Sequence, residues 1–321
     1  MSRLIAALLI AFAGSLGFPA FAQEPFPSHL VKVIVPFPPG STLDALARIV
    51  ADQLALKWSQ PVVIENVSGG GGNIGTERFA RSAPDGYTLM FAPPGPYTIN
   101  PLLYTEVNYD PTKFAAVSLM AKVPNVLLVR NELPAASVPE LIALAKAQPG
   151  KLTYASQGVG STAFLTAKLL EQHAGIELLH VPYRGAGPAL NDIIAGHVDM
   201  MFDTIVTSLP LHRGGKAKIL AIANDTRSKA LPDVPTIAET LPGFRSASWF
   251  AAAAPPDTPP ALVSQISRDI AELVHRPAVE TKLRELQLDP VGSTPAEAVA
   301  FFAEETALWG RVIKDAKVQK Q

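Results

Sequence analysis

Hydroxyl, glycine and acidic residues recur where apolar runs give way to amphipathic ones. They stand at Pro39-Gly40-Ser41-Thr42-Leu43-Asp44 and again at Ser156-Gln157-Gly158-Val159-Gly160-Ser161-Thr162. At the start of a helix such residues suit anion binding. The first amides of a helix lack an intrahelical acceptor and carry partial positive charge, and short hydroxyls beside them add donors for a carboxylate or phosphate. The plainer role for Ser41 or Thr42 is to cap the helix, and the first stretch alone leaves both roles open.

Other chemistries find less support. The six histidines, His29, His173, His180, His197, His212 and His275, are scattered without zinc-site spacing. No serine stands in a G-x-S-x-G or S-x-x-K context, and there is no cysteine to serve as nucleophile, disulfide or thiolate ligand. Gly70-Gly-Gly72-Asn-Ile-Gly75 has the spacing of a dinucleotide loop. It follows the second strand rather than the first and lacks the acidic residue expected about 20 positions on, so a tight turn is the better reading. Asp44, Asp192 and Asp203 could act as bases, but each stands near a helix start or inside a packed element. Arg184, between Tyr183 and Gly185, could pair with a ligand carboxylate or stand solvated. Without an assembled catalytic set, the residues favour holding an anion over transforming one.

The elements that must position these residues alternate between strand and helix, the pattern of an α/β fold with a mostly parallel sheet. Strands are predicted at Val31–Pro36, Pro61–Asn66, Tyr87–Ala92, Val126–Arg130, Leu152–Ala155, Leu178–Val181, His197–Asp203 and Lys218–Ala223. A further extended segment is predicted over Ser246–Ala253, and a proline-rich loop over Pro93–Pro101. From Leu262 onward the pattern is helical throughout, with Thr294-Pro-Ala-Glu297 opening a long last helix. A helical tail without strands must pack on a sheet made earlier. The chain is therefore expected to cross twice between two lobes, near Val126 and near Ser248. Residues 23–124 with 248–321 would form the first lobe and 125–247 the second.

Arg3, an apolar core Leu4–Ala13 and a small-residue end at Ala20-Phe-Ala22 read as a secretory leader cleaved after Ala22. That predicts an exported, periplasmic protein. Removing Arg3 with the leader leaves a formal charge of −2, too near neutral for a nucleic-acid surface. The 48% apolar and 17% charged composition fits a well-packed globular chain.

One family carries the same motifs in the same order. They are Val35-Pro-Phe-Pro-Pro-Gly40 with Asp44 and Ala47-Arg48, Gly72-Asn-Ile-Gly75, Ala83-Pro-Asp-Gly-Tyr-Thr-Leu89, Asn100-Pro101 with Leu103-Tyr104, and Tyr154–Ser161. His180–Leu190, Val198-Asp-Met-Met-Phe-Asp203 and Leu231-Pro-Asp-Val-Pro-Thr236 complete the set. Across essentially all of the mature chain, the sequence resembles the Bug-type periplasmic receptors of tripartite tricarboxylate transporters.

The resemblance implies a type II periplasmic-binding-protein fold, two α/β lobes closing on a small organic carboxylate, with no cofactor and no metal. It implies ligand contacts from Phe37, Pro39, Gly40, Ser41, Thr42 and Asp44 in the first lobe. In the second it implies Ser156, Gly158, Gly160, Ser161 and Thr162, with Tyr183, Arg184, Gly185, Ala186, Asp203 and Thr204 lining the same cleft. Ser41 stands where the family usually has a second glycine, and Leu43 is bulkier than the usual residue before the aspartate. The expected protein is a monomeric receptor delivering its ligand to transporter membrane subunits. An exported sensor for a membrane kinase and a carboxylate-processing enzyme are the alternatives.

Overall fold

The structure, a computed structural model, describes residues 26–158, 161–183 and 185–320. The leader expected over residues 1–22, and Gly160 and Arg184 of the expected site, lie outside the described residues.

The first strand, β1 (Val31–Val35), is almost wholly buried and pairs in parallel with β2 (Val62–Asn66) and β3 (Thr88–Ala92). Helix α1 (Thr42–Trp58) covers it, burying Leu43, Leu46, Val50 and Leu54 along one stripe, and ends where Ser59 turns left-handed. Helix α2 (Asn73–Ala80) follows β2. In the other half β5 (Thr153–Ser156) pairs in parallel with β6 (Leu179–Pro182) and β7 (Met200–Thr204). Here α4 (Val138–Ala147), α5 (Thr162–Ala174), α6 (Ala186–Ile194) and α7 (Ile205–Arg213) are the helices.

The two halves are joined by β4 (Ala115–Val129), a strand of 15 residues that pairs with both. Ala115–Pro124 runs antiparallel to β9 (Ala247–Ala254), and Lys122 and Ala121 also pair with the short β10 (Asp289–Pro290). From Asn125 onward the same strand pairs antiparallel with β7 and with β8 (Lys218–Ile222). The outer strands of each half are thus parallel, as expected, while the middle of the sheet is antiparallel. The strand order is β2-β1-β3-β9-β4-β7-β5-β6, with β10 and β8 also on β4.

Only the last third of β4 stands out in the sequence. Its first part mixes alanines with Ser118 and Lys122, and Pro124 interrupts the pattern. Pairing with β9 makes it a strand, and Pro124, which has no N–H to give, falls where the ladder passes from β9 to β7 and β8. The proline-rich segment expected as a loop is helical: a π turn over Gly95–Ile99 runs into α3 (Asn100–Leu103). Proline is well tolerated in a helix's first turn, where its missing N–H has no partner to lose.

The C-terminal helices are α8 (Pro260–Val274), α9 (Pro277–Glu285) and α10 (Pro295–Asp315). Helix α8 packs on β4 and α1, and α10 on β4 and the Gly95–Ile99 turn. Toward its end α10 also meets the second half. Trp309, Val312 and Ile313 are buried in one cluster with Leu165 and Leu169, and Gln172 on α5 donates to the Val312 carbonyl at 3.1 Å. Earlier in α10, the buried Glu305 accepts the indole N–H groups of Trp249 and Trp309, each at 3.1 Å.

Candidate functional site

A cavity of about 370 Å³ lies where the two halves meet, near the lower end of the ~300–1,000 Å³ common for small-molecule sites. On the first half it is lined by Phe37, Gly71, Pro93–Gly95, Ile99, Asn100 and Tyr104. On the second the lining is Gln157, Ser161, Thr162, Ala163 and Phe202–Thr204, while Asn125 and Ser248 come from the crossing strands.

Of the loop after β1, only Phe37 reaches the cavity. Ser41 caps α1, its Oγ accepting the Asp44 amide at 3.2 Å. The Asp44 carboxylate lies under the loop. It accepts the Gly40 amide at 3.0 Å, Arg48 Nε at 3.0 Å and Nη2 at 3.1 Å, and Asn66 Nδ2 at 3.0 Å. Asn66 also donates to the Phe37 carbonyl at 3.1 Å, tying the loop to β2. Burial opposes ionisation of Asp44, but Arg48, the Gly40 amide and Asn66 outweigh it and hold the carboxyl below its usual range. The protein's own groups therefore take two amides here, the Asp44 carboxylate that of Gly40 just before the cap and Ser41 Oγ that of Asp44. Pro39, Gly40, Ser41, Thr42 and Asp44 form a buttress and do not line the cavity.

The glycine run is the tight turn that its position suggested. Gly69–Gly72 all have positive φ, and a Cβ on Gly72 would stand 3.1 Å from the Phe37 ring and 3.2 Å from Pro96. The close approach of Phe37 and the Pro96 turn thus depends on glycine. Asn100 Nδ2 donates to the Gly71 carbonyl at 3.0 Å and to Asn73 Oδ1 at 2.7 Å, fastening the turn to α3.

Pro93, Pro94 and Pro96 carry no N–H, so Gly95, which lines the cavity with Pro93 and Pro94, has the one backbone N–H of this run. Tyr97, in the same turn, does not line the cavity. Its ring stacks on Trp249 and Phe302, and its hydroxyl donates to the Met90 and Ala251 carbonyls at 3.3 and 3.1 Å.

On the second half, the turn after β5 delivers the start of α5 to the cavity. Ser161 Oγ accepts the Phe164 amide at 3.2 Å and donates to the Gly158 carbonyl at 2.8 Å, serving as the cap. Thr162 and Ala163, the first two residues of the helix, line the cavity, and their amides have no intrahelical acceptor. Ser156 and Gly158 sit behind them. Ser156 Oγ accepts the Gly158 amide at 3.1 Å and lies 2.7 Å from His180 Nε2. Burial and the Lys168 charge push the His180 pKa down, favouring the neutral imidazole. Tyr183, Gly185 and Ala186 stand outside the lining. The Tyr183 hydroxyl donates to Asp192 at 2.6 Å, and burial with that bond pushes its pKa up to about 12.

Asp203 and Thr204, at the end of β7, do line the cavity. Asp203 is buried; it accepts the Thr207 hydroxyl, with the Ser208 hydroxyl farther off at 3.5 Å. Burial raises its pKa against the pull of Thr207, the Thr204 amide and Ser208. No lysine, arginine or histidine is among the described lining residues, and Asp203 is the sole carboxyl there. No cluster of three or more His, Asp or Glu among the described residues could hold a metal ion.

Of the residues the resemblance implied, the structure brings Phe37, Ser161, Thr162, Asp203 and Thr204 to one cavity. It adds Gln157 from the Ser156–Thr162 stretch and Gly95 and Asn100 from the proline-rich segment, both marked in the sequence, and Gly71, Tyr104, Asn125 and Ser248, which were not expected as contacts. Asn125 had a signal. It is a buried polar residue inside an apolar strand, its Nδ2 donating to Ser246 Oγ at 3.1 Å, and Ser246 meets Thr166 Oγ1 at 2.6 Å.

Two α/β halves joined by crossing strands, with a cavity between them, define a two-lobed periplasmic-binding-protein fold. Similar solved structures agree. R. palustris Rpa4515 with adipate has TM-score 0.82 and 36% identity, covering 92% of this chain and 100% of that one. MatC from Rhodopseudomonas palustris with bound malate has TM-score 0.77 and 33% identity, covering 90% of this chain and 100% of that one.

The chain belongs to the tripartite tricarboxylate transporter receptor family, whose pattern matches residues 46–318. Protein BugT of Bordetella pertussis is 35% identical over 319 residues, covering 98% of both chains. No helix among the described residues is long and apolar enough to cross a membrane.

Proposed function

We propose that this protein is a monomeric periplasmic receptor that captures a small organic carboxylate between its lobes and presents it to transporter membrane subunits. The observation that carries this reading is the pairing of backbone donors across one cavity, the start of α5 on one side and the Gly95 turn on the other. The start of α5 offers the Thr162 and Ala163 amides and the turn offers the Gly95 amide, so a carboxylate at either end of a short acid would find donors with no metal or lysine needed. The family and the acids bound by its solved relatives, adipate and malate, support the same ligand class.

The lobes in this reading are residues 23–124 with 248–321, and 125–247. The change of β4's partners at Pro124–Asn125 supports that division. We assign the chain no catalytic role: among the described lining residues Asp203 is the one carboxyl, and no histidine or lysine stands beside a hydroxyl to act as its base. The test is calorimetry of the mature protein against mono-, di- and tricarboxylates. Binding at micromolar Kd or tighter by at least one is expected, without turnover. Failure of the whole panel to bind would refute the reading.

A further inference from the structure

We propose that Asp203 decides which acids the cleft accepts: ionised, it demands a hydroxyl or ammonium donor from the ligand, and a plain diacid enters only with a proton on Asp203. The inference rests on the carboxylate-receptor reading above and names the subclass that the same site prefers.

The argument begins with what surrounds this carboxyl. Asp203 lies at the end of β7, buried, on the cavity wall opposite the Gly95 turn, and shares that wall with Thr162 and Thr204. Its partners within the protein are neutral: the hydroxyls of Thr207 and Ser208 and the Thr204 amide.

The elements packed against β7 bring it no compensating charge. On β4, Val126 is its register partner, and Lys122 lies over the Phe301 ring. On α5, Lys168 pairs with Glu171 and lies over the Tyr154 ring. Asp192 on α6 is taken by Tyr183 and His197, and on α7 His212 and Arg213 stand at the far end. The short β5 carries no charged residue. Apart from Asp203, Tyr104 is the one titratable side chain among the described lining residues.

Closing the lobes on an anion removes water from this wall. A ligand carboxylate then shares a poorly screened space with Asp203, and like charges confined so closely do not both stay ionised. Two outcomes relieve the conflict. A hydroxyl or ammonium on the acid can donate to Asp203, which stays ionised. A diacid without such a donor leaves protonation of Asp203 as the remaining route, and Asp203 OH then donates to the ligand. Burial already biases Asp203 toward that form.

Proton linkage gives the readout. Butanedioate and its 2-hydroxy and 2-amino derivatives, with the six-carbon set in parallel, are titrated calorimetrically between pH 5 and 8. Buffers of different ionisation enthalpy count the protons taken up. The plain diacids are expected to take up about one proton and to weaken about tenfold per pH unit once Asp203 is ionised in the free protein. The hydroxy and amino acids take up about none and hold their affinity. In Asp203→Asn, the pH slope of the plain diacids disappears and the advantage of the donor-bearing acids shrinks.

Equal pH responses and no proton uptake for all three acids overturn the inference while leaving the receptor reading intact. So does a folded Asp203→Asn variant with wild-type selectivity. The wild-type proton count decides the matter alone if that variant does not fold. Failure of every acid in both sets to bind overturns this inference together with the receptor reading.

Discussion

If the start of α5 holds a ligand carboxylate, a single backbone N–H there can be removed without disturbing the helix. Thr162 is the first helical residue, a position where proline is favoured because its missing N–H would have no intrahelical partner. The residue before it, Ser161, already has φ −65° and ψ 152°, the extended conformation that a residue preceding proline prefers. Thr162→Pro should therefore leave the Ser161 cap and the helix in place while removing one donor from the cavity wall. It also removes the threonine hydroxyl, so Thr162→Ala, which keeps the N–H, is the reference.

A hydrogen bond to a charged group contributes about 1.5–3 kcal/mol, so Thr162→Pro should bind its best acid roughly 10–150-fold more weakly than Thr162→Ala. Titration calorimetry of both variants reads that ratio, and circular dichroism melts confirm that α5 is intact. Equal affinity in the two variants, with melts alike, would show that the Thr162 amide does not meet the ligand and would remove α5 from the argument.

Three further predictions concern packing within the first lobe. Glu305→Leu leaves the Trp249 and Trp309 indole N–H groups buried without their acceptor, and should cost about 2–6 kcal/mol in denaturant unfolding, whereas Glu305→Gln, which keeps an acceptor, should cost far less. Equal losses in the two variants would contradict that role. Burial raises the Glu305 pKa above its ordinary 4.5 despite the two indoles and the Arg245 and Lys122 charges. Its contribution is therefore present below the unfolded value and lost as pH rises through the raised folded value. Glu305→Gln should gain on wild type over that rise, and a constant difference between pH 4 and 8 would refute the linkage. Gly75→Ala would place a Cβ 2.5 Å from the Val67 carbonyl and 2.9 Å from Pro36, and should lower stability by ~1–3 kcal/mol in the same assay. An unchanged unfolding midpoint would show that the backbone yields there without strain.

The sequence by itself determined the alternation of strands and helices, the helical tail and the placing of hydroxyls and glycines at helix starts. These are local matters: apolar period, caps and glycines act within a few residues of one another. Ser161 and Thr204 were legible as helix starts for that reason, and the ordered motifs pointed to the family. Tertiary structure decided which helix starts face the cavity. Asp44 and Ser41 fit the same local pattern as Ser161 and Thr162, yet Asp44 turns inward to Gly40, Arg48 and Asn66, and in the first lobe the Gly95 turn, rather than Ser41 or Thr42, lines the cavity. That choice depends on Asn66, 22 residues away on another strand, and local pattern does not report it. The same holds for β4, whose weak first part becomes a strand only because β9, more than a hundred residues later, supplies its partner. Pairing across such distances is settled by burial and by unmet backbone hydrogen bonds. Those exist only once the chain has come together.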